Sequence, residues 1–359
     1  VPDASEVAPA APVDVPVDVP VDVPVDMDRL AAWMDERGLG SGPLTHIELL
    51  AGGTQNVLVR FTRDGRSYVL RHPPIHKRDN SDETMRREAR VLAALAGSEV
   101  PHPGLIAAEP GLDVLGSAFY LMEPIEGVNV TVEMPEPLAS SAELQRSMGL
   151  SMPAAIAALG TVDPVAAGLA DLGRSEGWLE RQVPRWRKQL DSYAQFEGYG
   201  GPDIPGVDQV AAWLEAHRPT EMRIGIIHGD FHFANVLIDP VAGVVSAVVD
   251  WELATIGHPL LDLGHLLATW PGASAVNVTP VGSSYLPSTD EVIARYGELT
   301  GWDLADLPWF RVLACYRLGI ILEGSNARAD AGLAPREIGD RLHEHTVGLF
   351  EQALRLVGD

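Results

Sequence analysis

One cysteine, two lysines and no long apolar run set the first limits on this 359-residue chain. A lone Cys315 excludes an internal disulfide and fits a reducing compartment, so a cytoplasmic setting is expected, with the thiol as core packing. No apolar stretch approaches the ~20 residues needed to cross a bilayer. No basic segment precedes an apolar core near the start, so no secretion signal is expected. Positive charge is scarce as well. Lys and Arg total 26 against 50 Asp and Glu, a net charge of −24. That balance argues against nucleic acid or an anionic membrane as partner. What the chain does have is 46% hydrophobic residues, enough for a sizeable core in two or three folding units.

Residues 1–26 are of low complexity. A Val-Asp-Val-Pro repeat fills 13–26, and the segment holds six acids and no Lys or Arg. Proline blocks both helix and central strand, so an extended, disordered tail is expected.

The chemistry concentrates in His228-Gly229-Asp230-Phe231-His232-Phe233-Ala234-Asn235 and, further on, Asp250-Trp251-Glu252. Phosphoryl transfer needs a carboxylate to orient a hydroxyl and take its proton. It also needs an amide oxygen and a second carboxylate to hold magnesium on the nucleotide phosphates. Asp230, Asn235 and Asp250 stand at the spacing that supplies these. Residues 236–238 and 244–249 are β-prone around the turn Asp239-Pro240-Val241-Ala242-Gly243. The three groups therefore sit on a loop and at a strand end that one hairpin brings together. Asp262, an acid among leucines, needs buried donors and is read as a brace for the catalytic-loop backbone.

Upstream, a helix is expected at 27–39 and strands at 44–50, 56–62 and 67–71. Asp64-Gly65 marks the turn of a hairpin. The link Ala51-Gly52-Gly53-Thr54-Gln55 is of the glycine-rich kind that covers nucleotide phosphates, although it lacks G-x-G-x-x-G. Residues 80–96 form a helix whose apolar face, Met85, Leu92 and Leu95, also carries Glu88. A buried acid requires a partner. Neither lysine, Lys77 or Lys188, lies in the third strand, so Arg71 is assigned to it, with Lys77 as the distant second choice. Residues 119–124 read as a strand at a hinge between lobes. There the backbone of Glu123 and Ile125 is placed to read an adenine edge, and a plain edge strand is the alternative.

Further on the pattern turns helical, at 178–193, 260–269, 289–299, 309–323 and 335–356. Arg181, Arg185, Arg187 and Lys188 form a basic island in an acidic chain. It either receives a negative group on an acceptor or is a solvated helix face.

These pieces together resemble the aminoglycoside phosphotransferase-like family of small-molecule kinases. Within it the chain is most similar to the branch related to the amino-terminal domain of acyl-CoA dehydrogenase family members 10 and 11. The likeness spans about 49–328. It rests on Gly52-Gly53-Thr54-Gln55-Asn56, 68–74, 87–92, 119–127, Arg181-Gln182 with Trp186, 228–235, and above all 250–260, Asp250-Trp251-Glu252-Leu253-Ala254-Thr255-Ile256-Gly257-His258-Pro259-Leu260. The resemblance implies an α+β, bilobal, protein-kinase-like fold. Its β-rich N-lobe is expected at 27–123 and its mainly helical C-lobe at 124–359. It implies ATP and Mg²⁺ as cofactors and a small-molecule hydroxyl acceptor, the enzyme acting as monomer or homodimer. By motif position Asp230 is the base, and Asn235 and Asp250 are the metal ligands. Gly52, Gly53, Thr54, Asn56, Arg71, Glu88, Glu123 and Ile125 serve the nucleotide. His228 supports the loop, and His232, Glu252, Arg181 and Arg185 face the acceptor. The branch is associated with hydroxyacyl-CoA substrates and the wider family with antibiotics, choline and amino-alcohols. The rivals are an antibiotic kinase and a nucleotide-binding pseudokinase. Three departures stand out. His232 replaces a usual Arg, His72 a frequent Lys, and Ala158-Leu159-Gly160 a Leu-His pair beside the catalytic loop.

Overall fold

The computed structural model describes residues 23–50, 56–74, 77, 79–272 and 278–358. The phosphate-covering link expected at Gly52, Gly53 and Thr54 lies outside them.

The N-lobe is a five-stranded antiparallel sheet in the order β1-β2-β3-β5-β4. Its strands are β1 (Thr45–Leu49), β2 (Val57–Arg63), β3 (Arg66–His72), β4 (Leu105–Glu109) and β5 (Phe119–Met122). Asp64 and Gly65 take φ of 51° and 71°, the positive pair that a tight two-residue hairpin turn demands. Alternation along the strands sorts side chains to two faces. Val59, Phe61, Tyr68, Leu70, Phe119 and Leu121 pack against helix α1 (Met27–Glu36) through Leu30, Trp33 and Met34. Val23 and Val25 also pack there, and the Asp26 side chain caps α1 at Arg29 N–H, 3.0 Å. The end of the Val-Asp-Val-Pro repeat is thus part of the folded lobe, contrary to the expectation of a tail up to residue 26. On the opposite face Arg71 and Tyr120, cross-strand neighbours, meet helix α2 (Ser81–Leu95). Strand β4 has no counterpart in the sequence reading.

The C-lobe is mainly helical: α3 (Ala142–Gly160), α4 (Trp178–Ser192), α5 (Val207–Ala216), α6 (Leu260–Ala268), α7 (Thr289–Thr300), α8 (Leu307–Asp330) and α9 (Arg336–Gly358). Helices α3 and α5 were not expected from sequence. Two strand pairs carry the functional loops: β6 (Gly225–Ile227) with β9 (Thr255–Gly257), and β7 (Val236–Asp239) with β8 (Val244–Val248). Helix α8 is apolar nearly all round and forms the axis of the lobe, as a fully surrounded helix should. Gly264 lets α6 lie directly on it, since a Cβ there would stand 2.5 Å from Phe310 O.

Two junctions fix how the lobes meet. Val128 exchanges backbone hydrogen bonds with Ile238, both 2.9 Å, so the chain leaving β5 is stitched to β7. Arg87, from α2, donates to Leu172 O at 3.1 Å and Ala254 O at 3.0 Å. This anchors the helix that carries Glu88 to the C-lobe. Hydrogen bonds from a charged donor contribute about 1.5–3 kcal/mol. Arg87→Leu should lower stability by roughly that amount and speed amide exchange along α2. Unchanged exchange in α2 would show that the clamp is dispensable.

Candidate active site

The catalytic loop runs from the end of β6 to the start of β7. Phe231 and Phe233 are buried and pin it from below. Asp262, in the first turn of α6, accepts His228 N–H at 2.7 Å and Gly229 N–H at 2.9 Å. Its expected role as a brace is what the geometry shows. Burial pushes its carboxyl upward, and His228 with the two backbone N–H groups pulls against that. Gly229 has φ of +84°, and a Cβ there would meet Leu253 O at 2.7 Å, so the loop requires glycine.

His228 links the loop to the downstream strand. Its Nδ1 accepts Asp230 N–H at 3.3 Å, which leaves the proton on Nε2 to be donated to Val249 O at 2.9 Å. Its ring packs edge-on against Trp251. Asp230 is thereby fixed relative to Asp250, which follows β8 with φ of +65°, a left-handed conformation that costs a non-glycine residue about 1 kcal/mol or more.

Three side chains converge on the Asp230 carboxylate. Asn235 donates through Nδ2 to Oδ2 at 3.1 Å, and to the Asp230 backbone O at 2.9 Å. His232 Nε2 stands 3.5 Å from Oδ2, and His265 Nε2 3.2 Å from Oδ1. His232 Nδ1 accepts Ala234 N–H, so its proton faces Asp230. Burial opposes ionisation of Asp230, but His232 and His265 overcome it and hold the carboxyl well below its usual range. Burial also takes His265 down to about 4, so this ring is neutral at physiological pH.

Arg71 occupies the centre of the cleft. Its Nε lies 2.8 Å from Glu88 Oε2 and its Nη2 2.8 Å from Asp250 Oδ1. Glu88 is fully buried and also accepts the Tyr120 hydroxyl at 2.6 Å. Burial pushes Glu88 up, while Arg71 and the Tyr120 hydroxyl pull it back. Arg71 is therefore the partner inferred from sequence. Lys77, the second choice, pairs with Asp82 instead.

A magnesium ion needs hard oxygen ligands, and the residues present fit it. Oxygens of Glu88, Asp250 and Glu252 lie within 4.8 Å of one another. Glu88 is the buried member of the group and is bonded to Arg71 and Tyr120, while Asp250 and Glu252 are its less buried carboxylates. The Nδ2 of Asn235 turns to Asp230, which leaves its Oδ1 as the ligating end. Glu252, expected on the acceptor side, is thus beside Asp250. At the hinge, Glu123 N–H is bonded to Gly104 O at 2.8 Å. A base edge is left the carbonyl of Glu123 and the N–H of Ile125. Asn56 leads into β2.

The basic island divides. Arg181 reaches back to Glu176 O and Arg174 O, holding the loop before α4. Arg187 pairs with Asp208. The guanidinium of Arg185 lies 5.0 Å from the Trp186 ring centre. Tyr120, His265 and Arg317 were not singled out from sequence. Two of them carried a signal: Tyr120 lies in the hinge strand, and His265 follows Asp262 by three residues on one helix face.

Two tests follow from these contacts. Arg71→Met leaves Glu88 buried without its cation and should cost about 3–5 kcal/mol in urea unfolding. Replacing Glu88 by Leu in the same chain should recover part of it, and a loss below about 1 kcal/mol would mean the pair is solvated. The second concerns pH. His265 has a folded value of about 4 against an ordinary 6.5, so its contribution is full above about 6.5 and is lost as pH falls toward about 4. His258, likewise near 4, acts in the same sense, while the raised Glu88 and Asp262 act oppositely. His265→Asn should flatten the pH dependence of stability across that window, by up to about 1.4 kcal/mol per pH unit. Superimposable profiles for variant and wild type would contradict it.

Comparison with known proteins matches this geometry to one family. The family model described as "Phosphotransferase enzyme family" matches residues 46–309. Acyl-CoA dehydrogenase family member 11 of Gallus gallus is 30% identical over 318 residues, covering 85% of this chain and 40% of its own length. Acyl-CoA dehydrogenase family member 10 of Mus musculus is 27% identical, covering 88% and 30%. The chain thus spans well under half the length of these relatives. A Ralstonia eutropha crystal structure, provisionally assigned as an aminoglycoside phosphotransferase, superposes with a TM-score of 0.75 at 29% identity, covering 92% of this chain and 99% of that one. The GDP and kanamycin complex of an aminoglycoside 2″-phosphotransferase, at 16% identity and a TM-score of 0.62 over 92% and 99%, shares the fold. With its β-sheet N-lobe, helical C-lobe and the Asp230, Asn235 and Asp250 constellation between them, the chain belongs to the APH phosphotransferase family.

Proposed function

We propose that this phosphotransferase moves the γ-phosphate of ATP to a hydroxyl of a small molecule, with a hydroxyacyl-CoA as the candidate acceptor. The observation that carries the reading is the Asp230 carboxylate, ionised and oriented by Asn235, His232 and His265, at a cleft whose other wall presents Asp250 and Arg71. The acyl-CoA part rests on the names of the relatives that contain a matching segment.

Magnesium, when bound, neutralises charge on the nucleotide phosphates. Asp250, Glu252 and the Oδ1 of Asn235 are the groups that would hold it. Arg71, kept in position by Glu88, meets the phosphates from the N-lobe side. Glu123 O and Ile125 N–H receive the adenine edge. Asp230 accepts the hydrogen bond of the acceptor hydroxyl and aims its oxygen at the γ-phosphorus. As the new P–O bond forms and the bond to ADP breaks, the hydroxyl proton passes to Asp230. A carboxylate held this firmly in its ionised form is a weak base. Its main contribution is orientation, with the proton moving late.

Asp230→Asn should lower kcat by ~10²–10⁴-fold, the loss expected when a general base is removed, and leave nucleotide affinity nearly intact. Asp250→Ala should instead abolish magnesium-dependent nucleotide binding. Retention of more than about a tenth of kcat in Asp230→Asn excludes base catalysis by this residue. A labelled-ATP screen over hydroxyacyl-CoAs, aminoglycosides, sugars and amino-alcohols assigns the acceptor, and turnover of a polycationic aminoglycoside alone would favour an antibiotic kinase.

A further inference from the structure

Arg317 lies on α8, inside the C-lobe and only 6% exposed. Among the described residues it has no hydrogen bond and no ion pair, and its Nη1 is fully enclosed without a partner. Its guanidinium packs on the ring of Trp186, 5.3 Å from the ring centre. Trp186 Nε1 is a second enclosed donor with no partner. Arg185 lies against the same ring.

A buried cation in this state is costly. Desolvating a guanidinium costs more than a single cation–π contact returns. The charges of Asp230 and Asp262 help from a distance, and among the described residues neither carboxylate forms an ion pair with it. Its charge is nonetheless felt by His265 and Asp262, so the guanidinium belongs to the neighbourhood of the catalytic carboxylate. A fixed cation with an unpartnered Nη1 and an unpartnered indole N–H in the ring it packs on is what a site looks like before its anion arrives.

We infer that Arg317, with Trp186 Nε1 beside it and Arg185 at the ring's other contact, binds an anionic oxygen group of the acceptor close to the hydroxyl presented to Asp230. The inference deepens the kinase reading and rests on it for the identity of the bound molecule as acceptor. Two sources share this chemistry: the carboxylate of a free hydroxy acid and a phosphate of its coenzyme A ester. A polycationic acceptor is disfavoured at this position.

The test is calorimetric binding in the presence of ADP, independent of turnover. The probes are 2- to 5-hydroxycarboxylates, their CoA thioesters, and diols of matching length. Wild type should bind one of the two anionic series and discriminate against the diols. Arg317→Met should weaken that binding by about tenfold or more, the loss expected for a charged hydrogen bond. ADP affinity should hold within about twofold, and thermal stability should hold or rise, because an unpaired buried cation is gone. Arg317→Lys, which keeps charge but not the planar fork, should fall between. Preference for hydroxycarboxylates assigns a carboxylate, and preference for thioesters assigns a CoA phosphate. Equal binding of diols and anions by wild type overturns the inference. So does unchanged anion affinity in Arg317→Met, or a fall in stability of that variant shared by Arg317→Lys. Loss of ADP binding by the wild-type protein would defeat the kinase reading, while Arg317-dependent anion binding would still stand.

Discussion

The arrangement of both lobes depends on where one guanidinium sits. Arg71 extends from the N-lobe sheet and is bonded on one side to Glu88 of α2 and on the other to Asp250 of the C-lobe. Glu88 has no exposure at all, so its charge exists only because Arg71 and Tyr120 satisfy it. That requirement fixes the depth of α2 against the sheet. Arg87, one residue earlier, then ties the same helix to Leu172 and Ala254. Sheet, helix and metal-side loop are thus held in one register, and the nucleotide cleft lies between them.

The catalytic loop follows a related logic around another buried carboxylate. Asp262 holds two backbone N–H groups, and His228 converts the position of Val249 into the position of Asp230. The departure at Ala158-Leu159-Gly160 is absorbed by packing. Gly160 lies against Pro259 and Trp302, and His265 approaches Asp230 from α6. A neutral histidine beside an ionised carboxylate orients it without cancelling its charge.

Net charge and local charge point in opposite directions here. The surface is strongly acidic, which bears on solubility and encounter. The interior of the C-lobe, beside the acid that faces the acceptor, carries an unpaired cation. The recognition proposed for the acceptor draws on the second, because at buried sites screening is weak and a single desolvated charge outweighs many solvated ones.

Short-range patterns were readable in the sequence because their chemistry is local. Asp230, Asn235 and Asp250 lie on one loop and one hairpin, so their spacing alone brings them together. Glu88 on an apolar helical face, with no lysine in the third strand, was enough to name Arg71. The buried acid among leucines at Asp262 announced that it needed donors. Elements with weak periodicity were not readable. Strand β4 is half-buried throughout, and α3 carries Pro153 and is packed on most of its faces. The basic island looked like one site because four charges are close in sequence, but side-chain reach scattered them. Arg181 serves its own loop, Arg187 pairs with Asp208, and Arg185 alone stays with Trp186. Arg317 is one of several polar residues of α8, and nothing in its neighbours along the chain marks it. Its setting arises only when α8 packs against α4 and α6, which brings Asp230 close enough to influence its charge without pairing with it. The sequence determined the reaction machinery, since that is written in adjacent residues. The tertiary structure decided where Arg317, Trp186 and Arg185 meet, since that cluster is assembled from helices whose contacts the linear order does not specify.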